Sequence, residues 1–228
     1  MAVNPIIKRV LSATSVILFS SISISFYSVG AGFAKSSKKS RPPSNSPTAP
    51  GGGLDPNKSC GSKEKLISLI PKTSPVMTSS ANPKLYFYIP YESKNIRMSD
   101  FSVHEWDGSQ EKEIYRGQAS LPSRPGITRI DLSNRIGISL QEDKIYHWYL
   151  ELYCQDNRSA RPDLTVSGYL QRTSSASNSS DNWHDSLSEA ITRKDTSFSE
   201  MAKWKKMLTD IKQQDLISKE FVDPIELR

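Results

Sequence analysis

The chain has 228 residues, 36% of them apolar, with 30 Lys+Arg against 24 Asp+Glu for a net charge of +6, and its mean hydropathy is −0.51. That supports one sizeable domain with accessory segments and excludes a multi-span membrane protein. The two cysteines are too few for a four-thiolate zinc site or a knottin-like framework, the three histidines stand singly at 104, 147 and 184, and no phosphate-cradling glycine loop, dinucleotide fingerprint or nucleophile elbow occurs.

Residues 1–34 read as an export signal. Lys8 and Arg9 form a positive start, an apolar stretch runs from Val10 to Phe33, and small-x-small cleavage sites end at Ala31 and Ala34. The alternative is a retained membrane anchor. Against it, the stretch carries seven serines, at 12, 15, 20, 21, 23, 25 and 28, each costly in hydrocarbon. No cysteine follows either cleavage site, so a lipid anchor is not expected. Residues 35–59 are Pro-, Gly- and Ser-rich and carry Lys35, Lys38, Lys39 and Arg41, which predicts a disordered basic linker. From Cys60 to Arg228 there are 23 cations and 23 anions, so the whole charge excess lies before the folded part. Without a net field on the body, nucleic-acid binding is not expected.

From Leu66 onward, short apolar runs are divided by proline, glycine or Asp-Gly. They span 66–70, 84–91, 100–106, 112–119, 126–132, 144–154 and 163–172. Their length and their β-branched and aromatic content predict a mainly β body over 60–172, an antiparallel immunoglobulin- or fibronectin-III-like sandwich. Asp107-Gly108 is a type I′ hairpin signal. Leu140, six residues before Tyr146, has the spacing of a tyrosine corner, in which the hydroxyl bonds back to the preceding loop. Tyr146 sets the phase of its strand: Tyr146, Trp148, Leu150, Leu152 and Cys154 face the core, and His147, Tyr149, Glu151 and Tyr153 face the other side. Cys60 precedes the first run and Cys154 ends the sixth, at one pole of the sandwich, so a disulfide between them is expected.

A helical tail follows over 173–228, opening with the low-complexity stretch TSSASNSSDN. Asp181 or Asn182 can cap a helix with Trp183, Leu187, Ala190 and Ile191 on one face. Ser197-x-x-Glu200 is a capping box for a second helix, striped by Met201, Trp204, Leu208 and Ile211. The sandwich's outer face carries His104, Trp106, His147, Tyr149, Tyr153 and Tyr169, too much aromatic surface to leave bare. The tail is therefore expected to cover it, with Trp183 and Trp204 as anchors.

NPKLYFYIPY (82–91), LPSRPGI (121–127), KIYHWYLELYC (144–154) with QDNRSARPD (155–163), VSGYLQR (166–172) and WHDSL (183–187) together resemble the cyanobacterial exported family known as domain-of-unknown-function family 928. The likeness runs from about Cys60 to the C-terminus, and the Tyr-x-Trp-Tyr run followed by Cys and Arg-Ser is fairly specific. The resemblance implies a secreted or periplasmic protein with strands first and helices after. It brings no activity. The chain departs from the family pattern in the short link before the Trp183 helix.

The leading expectation is a non-catalytic binding or assembly module of the periplasm or cell envelope, with no cofactor and no membrane span once the signal is cleaved. Its binding residues would be Arg97 and, in the loop 155–162 near the disulfide pole, Asp156, Arg158 and Arg161. The arginines suit carboxylate or phosphate groups of an envelope protein or polymer; the plainer alternative is that Asp156 and Arg158 pair to fix their turn. A second expectation is carbohydrate binding on a flat row formed by the aromatic face, with Trp106, His147, Tyr149 and Tyr169. A third is a hydrolase using Glu105 and Glu151 as an acid/base pair, or a metal held by His104 and His147.

Overall fold

The run at 84–89 is apolar at every position after Lys84, so both faces of the strand it forms demand cover. In the computed structural model, which describes residues 41–47, 60–132, 137–155, 160–174 and 182–228, this run is β3 (Lys84–Ile89). It lies between β1 (Ile67–Ser68) and β6 (Gly126–Asp131), antiparallel to both. This sheet curls into half a barrel. Leu85, Phe87 and Ile89 turn inward, and Tyr86 and Tyr88 turn outward. The expected signal at 1–34 lies outside the described residues, as does most of 35–59.

The second sheet has six strands in the order β2 (Val76–Thr78), β8 (Leu164–Arg172), β7 (Ile145–Cys154), β4 (Ile96–Trp106), β5 (Glu111–Ser120) and β9 (Glu226–Leu227). Every pairing is antiparallel except β2 with β8, which is parallel. The molecule is thus mainly β, with mixed strand directions. The strand phase expected for 146–154 holds: Tyr146, Trp148, Leu150, Leu152 and Cys154 are all buried in the core that the two sheets share. Phe87 of the first sheet meets Trp148 of the second edge-on, with centroids 5.5 Å apart. The Tyr146 hydroxyl accepts from the Gln141 amide at 3.0 Å, the bond back to the preceding loop that the Leu140 spacing predicts.

Cys60 and Cys154 form the disulfide, with a Cα separation of 5.0 Å. The β4–β5 connection is a four-residue loop, 107–110, rather than a two-residue type I′ turn. There the Asp107 carboxylate accepts from the amides of Ser109 and Gln110, both at 2.8 Å, and Gly108 takes the positive φ of 105°.

The tail corrects one expectation. Helices α1 (Trp183–Arg193) and α2 (Phe198–Asp210) cover the outer face of β1, β3 and β6, not the aromatic face of β4, β7 and β8. Leu187, Ala190, Trp204, Met207 and Leu208 pack on Ile67, Leu69, Tyr86, Tyr88 and Ile127. The reason is physical: that face is the more apolar of the two, whereas on the other face His147, Tyr149 and Tyr169 find a polar partner in Glu111. Trp183 does anchor the tail, its indole N–H donating to the Leu69 carbonyl at 2.8 Å. Ser197 caps α2 by accepting from the Glu200 amide, while Asn182 precedes α1 without a side-chain cap bond.

Backbone from both ends of the described chain closes the gaps between the sheets. Ser46 exchanges two hydrogen bonds of 3.1 Å with Ser167 of β8, and the next carbonyl, of Pro47, accepts from Ser68 of β1 at 2.7 Å. At the opposite edge, Val222 and Ile225 donate to Ile127 and Arg129 of β6, and Arg228 then exchanges two bonds with Gln118 of β5. The seven residues 41–47 of the expected linker therefore lie against the body, with Asn45 6% exposed.

Candidate functional site

Strand register assembles the site. Across the outer face of the six-stranded sheet, Trp106 of β4 stands opposite Glu111 of β5. One row along, His104 of β4, His147 of β7 and Tyr169 of β8 are cross-strand neighbours, and Tyr149 follows on β7. Directly paired residues share a face, so the expected aromatic set Trp106, His147, Tyr149 and Tyr169 does come together.

Its centre is Glu111, which the sequence analysis did not single out. The carboxylate accepts from His147 Nδ1 at 2.5 Å, from the Tyr149 hydroxyl at 2.9 Å and from the Tyr169 hydroxyl at 3.3 Å. Tyr149 also lies 2.7 Å from the same His147 nitrogen. An ionised carboxylate can only accept, so the network assigns the imidazole proton to Nδ1, which donates to one Glu111 oxygen, while the Tyr149 hydroxyl donates to the other. The only signal for Glu111 in the sequence was its place as the first residue after the Asp-Gly loop, opposite Trp106.

The rings form a cup. His147 stacks on Tyr169 with centroids 3.8 Å apart and planes 19° from parallel. Trp106 meets Tyr169 edge-on at 5.9 Å, and His104 meets Tyr149 edge-on at 5.4 Å. They are not the flat row that the carbohydrate expectation requires, and Tyr169 is 5% exposed. His147 is also buried, while Trp106, Tyr149 and His104 are half-buried.

Burial disfavours the imidazolium, and although Glu111 pulls the other way it does not compensate; His147 titrates below its ordinary value. Burial lifts the Glu111 carboxyl, but the donors from His147 and Tyr149 outweigh it and hold the group below the usual carboxylate range. These directions disagree about an ion pair. Desolvation of the nearly enclosed ring governs, so at neutral pH a carboxylate accepts from a neutral imidazole. Burial and the Glu111 charge push Tyr169 up to about 12 and raise Tyr149 as well, so both phenols remain donors.

The other candidates are placed differently. Glu105 pairs in register with core-facing Tyr146, whereas Glu151 alternates with core-facing Leu150 and Leu152. The two carboxylates are thus on opposite faces of the sheet and are not brought together. Glu105 is bound to Lys144 at 2.5 Å, and Glu151 lies 3.6 Å from Arg116. His104 and His147 are direct neighbours, but His104 Nε2 lies 3.1 Å from the Ser102 hydroxyl and His147 turns to Glu111. Among the described residues no three His, Cys, Asp or Glu side chains gather in a group that could hold a metal. Ser102 is 2% exposed, so its hydroxyl is shielded from any substrate. Near the disulfide pole, the Arg97 guanidinium sits 5.7 Å from the centroid of the Tyr153 ring and Arg161 is exposed. Asp156 and Arg158 lie outside the described residues.

What this arrangement offers chemically is a fixed carboxylate walled by aromatic rings on a rigid sheet. In comparison with known proteins, residues 50–182 match the family model described as Domain of Unknown Function (DUF928). No curated protein and no solved structure matches the chain.

Proposed function

The chain belongs to the DUF928 family, whose description assigns no activity, and from the molecule's own surfaces we propose that it is a non-catalytic binding or assembly module acting outside the cytoplasm. One observation carries the reading. Among the described residues, the helices cover one sheet and leave uncovered the outer face of the other, with exposed Glu111 and half-buried Trp106 and Tyr149. Binding surfaces are commonly built by such side chains on a rigid scaffold.

Two further features support it. The order β1-β3-β6 and, within the six-stranded sheet, the run β8-β7-β4-β5 support reading the body as an immunoglobulin- or fibronectin-III-like sandwich, an architecture widely used for recognition. The disulfide and the basic, then apolar, start of the chain favour export to an oxidising compartment. The partner is an envelope protein or polymer.

The test is co-sedimentation of the full chain with isolated cell-envelope material. Saturable retention is expected, with the envelope component unchanged and retention lost in the double variant Trp106→Ala, Tyr149→Ala. Retention that survives this variant but falls with Arg97→Ala and Arg161→Ala would move the binding surface to the disulfide pole. Chemical breakdown of the retained material would overturn the non-catalytic reading.

A further inference from the structure

We propose that the open sheet face docks a partner protein through a basic side chain, an arginine or lysine, seated against Trp106 and Tyr149 with its charge toward Glu111. This rests on the binding reading above and specifies its chemistry. Charge complementarity is the first argument. By register and ring contact, Asp100, Glu111, Glu113, Glu151 and Glu226 stand on this face against the guanidiniums of Arg97, Arg116 and Arg228, five negative charges to three positive among the described residues. The chain from Cys60 onward is neutral as a whole, so this face is a local negative field on a balanced body.

The carboxylate itself supplies the second argument. Arg116 is drawn to Glu113 at 2.8 Å and to Glu151 at 3.6 Å, whereas Glu111 is held by an imidazole and two phenols. These donors satisfy it without neutralising it. An ionised carboxylate has roughly four acceptor positions and three are used, which leaves about one for an incoming N–H.

The third is the wall. Trp106 sits opposite Glu111, and both it and Tyr149 are half-buried, showing part of their rings to solvent. Aromatic faces attract cations, and guanidinium groups stack on them. The rings stand at 71° and 86° to their neighbours, a cup for a compact cation rather than a platform for a sugar ring. A sheet face is also shallow. It grips a side chain carried by a larger surface better than it encloses a free small molecule.

The test titrates the full chain, by heteronuclear NMR of the indole N–H signals, with a short arginine peptide and its citrulline counterpart. Citrulline keeps the shape and removes the charge. A saturable shift of the Trp106 signal with the arginine peptide is expected, weakened by salt. The citrulline peptide should bind about tenfold more weakly or worse, the scale of one charge-assisted contact. Glu111→Gln should cause a similar loss; because it also loosens the hydrogen-bond network, Trp106→Leu is a second variant that leaves that network in place, its binding read from the backbone amide signal of Glu111. Equal binding of both peptides, undiminished binding by both variants, or a neutral oligosaccharide displacing the arginine peptide would each overturn the inference. If neither peptide shifts Trp106 yet envelope retention still depends on Trp106 and Tyr149, the binding reading stands and the cationic partner falls. If retention is also insensitive to these rings, both fall.

Discussion

Tyr146 and His147 are neighbours in sequence with opposite fates, and the alternation of the strand explains both. Tyr146 enters the core and fixes the loop before it; His147 goes to the outer face and is held neutral by burial. His184 is a histidine that joins Leu187 and Ala190 on the buried face of α1. It follows Trp183 in the first turn of α1 and is 1% exposed, with neither ring nitrogen in a hydrogen bond. Burial pushes its pKa down to about 4, while the neighbouring Asp185 charge and the Lys84 backbone pull upward. The unfolded chain takes up a proton near the ordinary 6.5 and the folded chain does not. This residue's contribution is therefore complete above pH 6.5 and is lost as pH falls from 6.5 toward 4, an order of about 3 kcal/mol across that window. Chemical denaturation at pH 7 and pH 4.5 should show His184→Leu losing less stability on acidification than the parent chain. Parallel losses in the two proteins would show that the ring is not buried neutral.

At the scale of elements, side-chain pattern made some features legible and left others silent. The β7 alternation, the tyrosine corner and the Ser197 capping box each follow from residues whose spacing has one structural solution. The side on which the tail docks does not. Both sheet faces carry aromatics in the sequence, and only the network centred on Glu111 reveals which face is already satisfied. A single carboxylate has no periodicity, so Glu111 becomes visible only when register sets it beside His147 and the tyrosines. The closing segments 45–47 and 220–228 act through backbone hydrogen bonds, which leave little trace in residue type. β2, only three residues long, is silent for the same reason. Close packing between elements makes one clear prediction. Gly168 of β8 faces Trp148 of β7, and a methyl group there would come within 2.7 Å of the indole and 2.5 Å of Ile70. Gly168→Ala should destabilise by about 1–3 kcal/mol through overpacking, read as a lowered thermal midpoint with the disulfide intact. An unchanged midpoint would mean that the two sheets are less tightly apposed at this point.

For the whole molecule, the division of labour between two outer faces is the organising feature. One sheet buries its outer apolar residues under α1 and α2; the other, among the described residues, has no helix over the network that ties Glu111 to His147, Tyr149 and Tyr169. The disulfide joins the start of the body to the end of β7, the strand that carries His147 and Tyr149. In the chain-entropy model, closing a loop of about 95 residues stabilises by up to roughly 4–5 kcal/mol. This anchors the strand that carries His147 and Tyr149 to the most buried part of the structure, so the proposed ligand would meet a preformed surface. Hydroxyl-radical footprinting of the full chain, free and bound to envelope material, tests that division directly. The account predicts ready oxidation of Trp106 and Tyr149 in the free protein, protection of both on binding, and little oxidation of Trp204 in either state. Strong oxidation of Trp204 together with a shielded, unresponsive Trp106 in the free chain would contradict it.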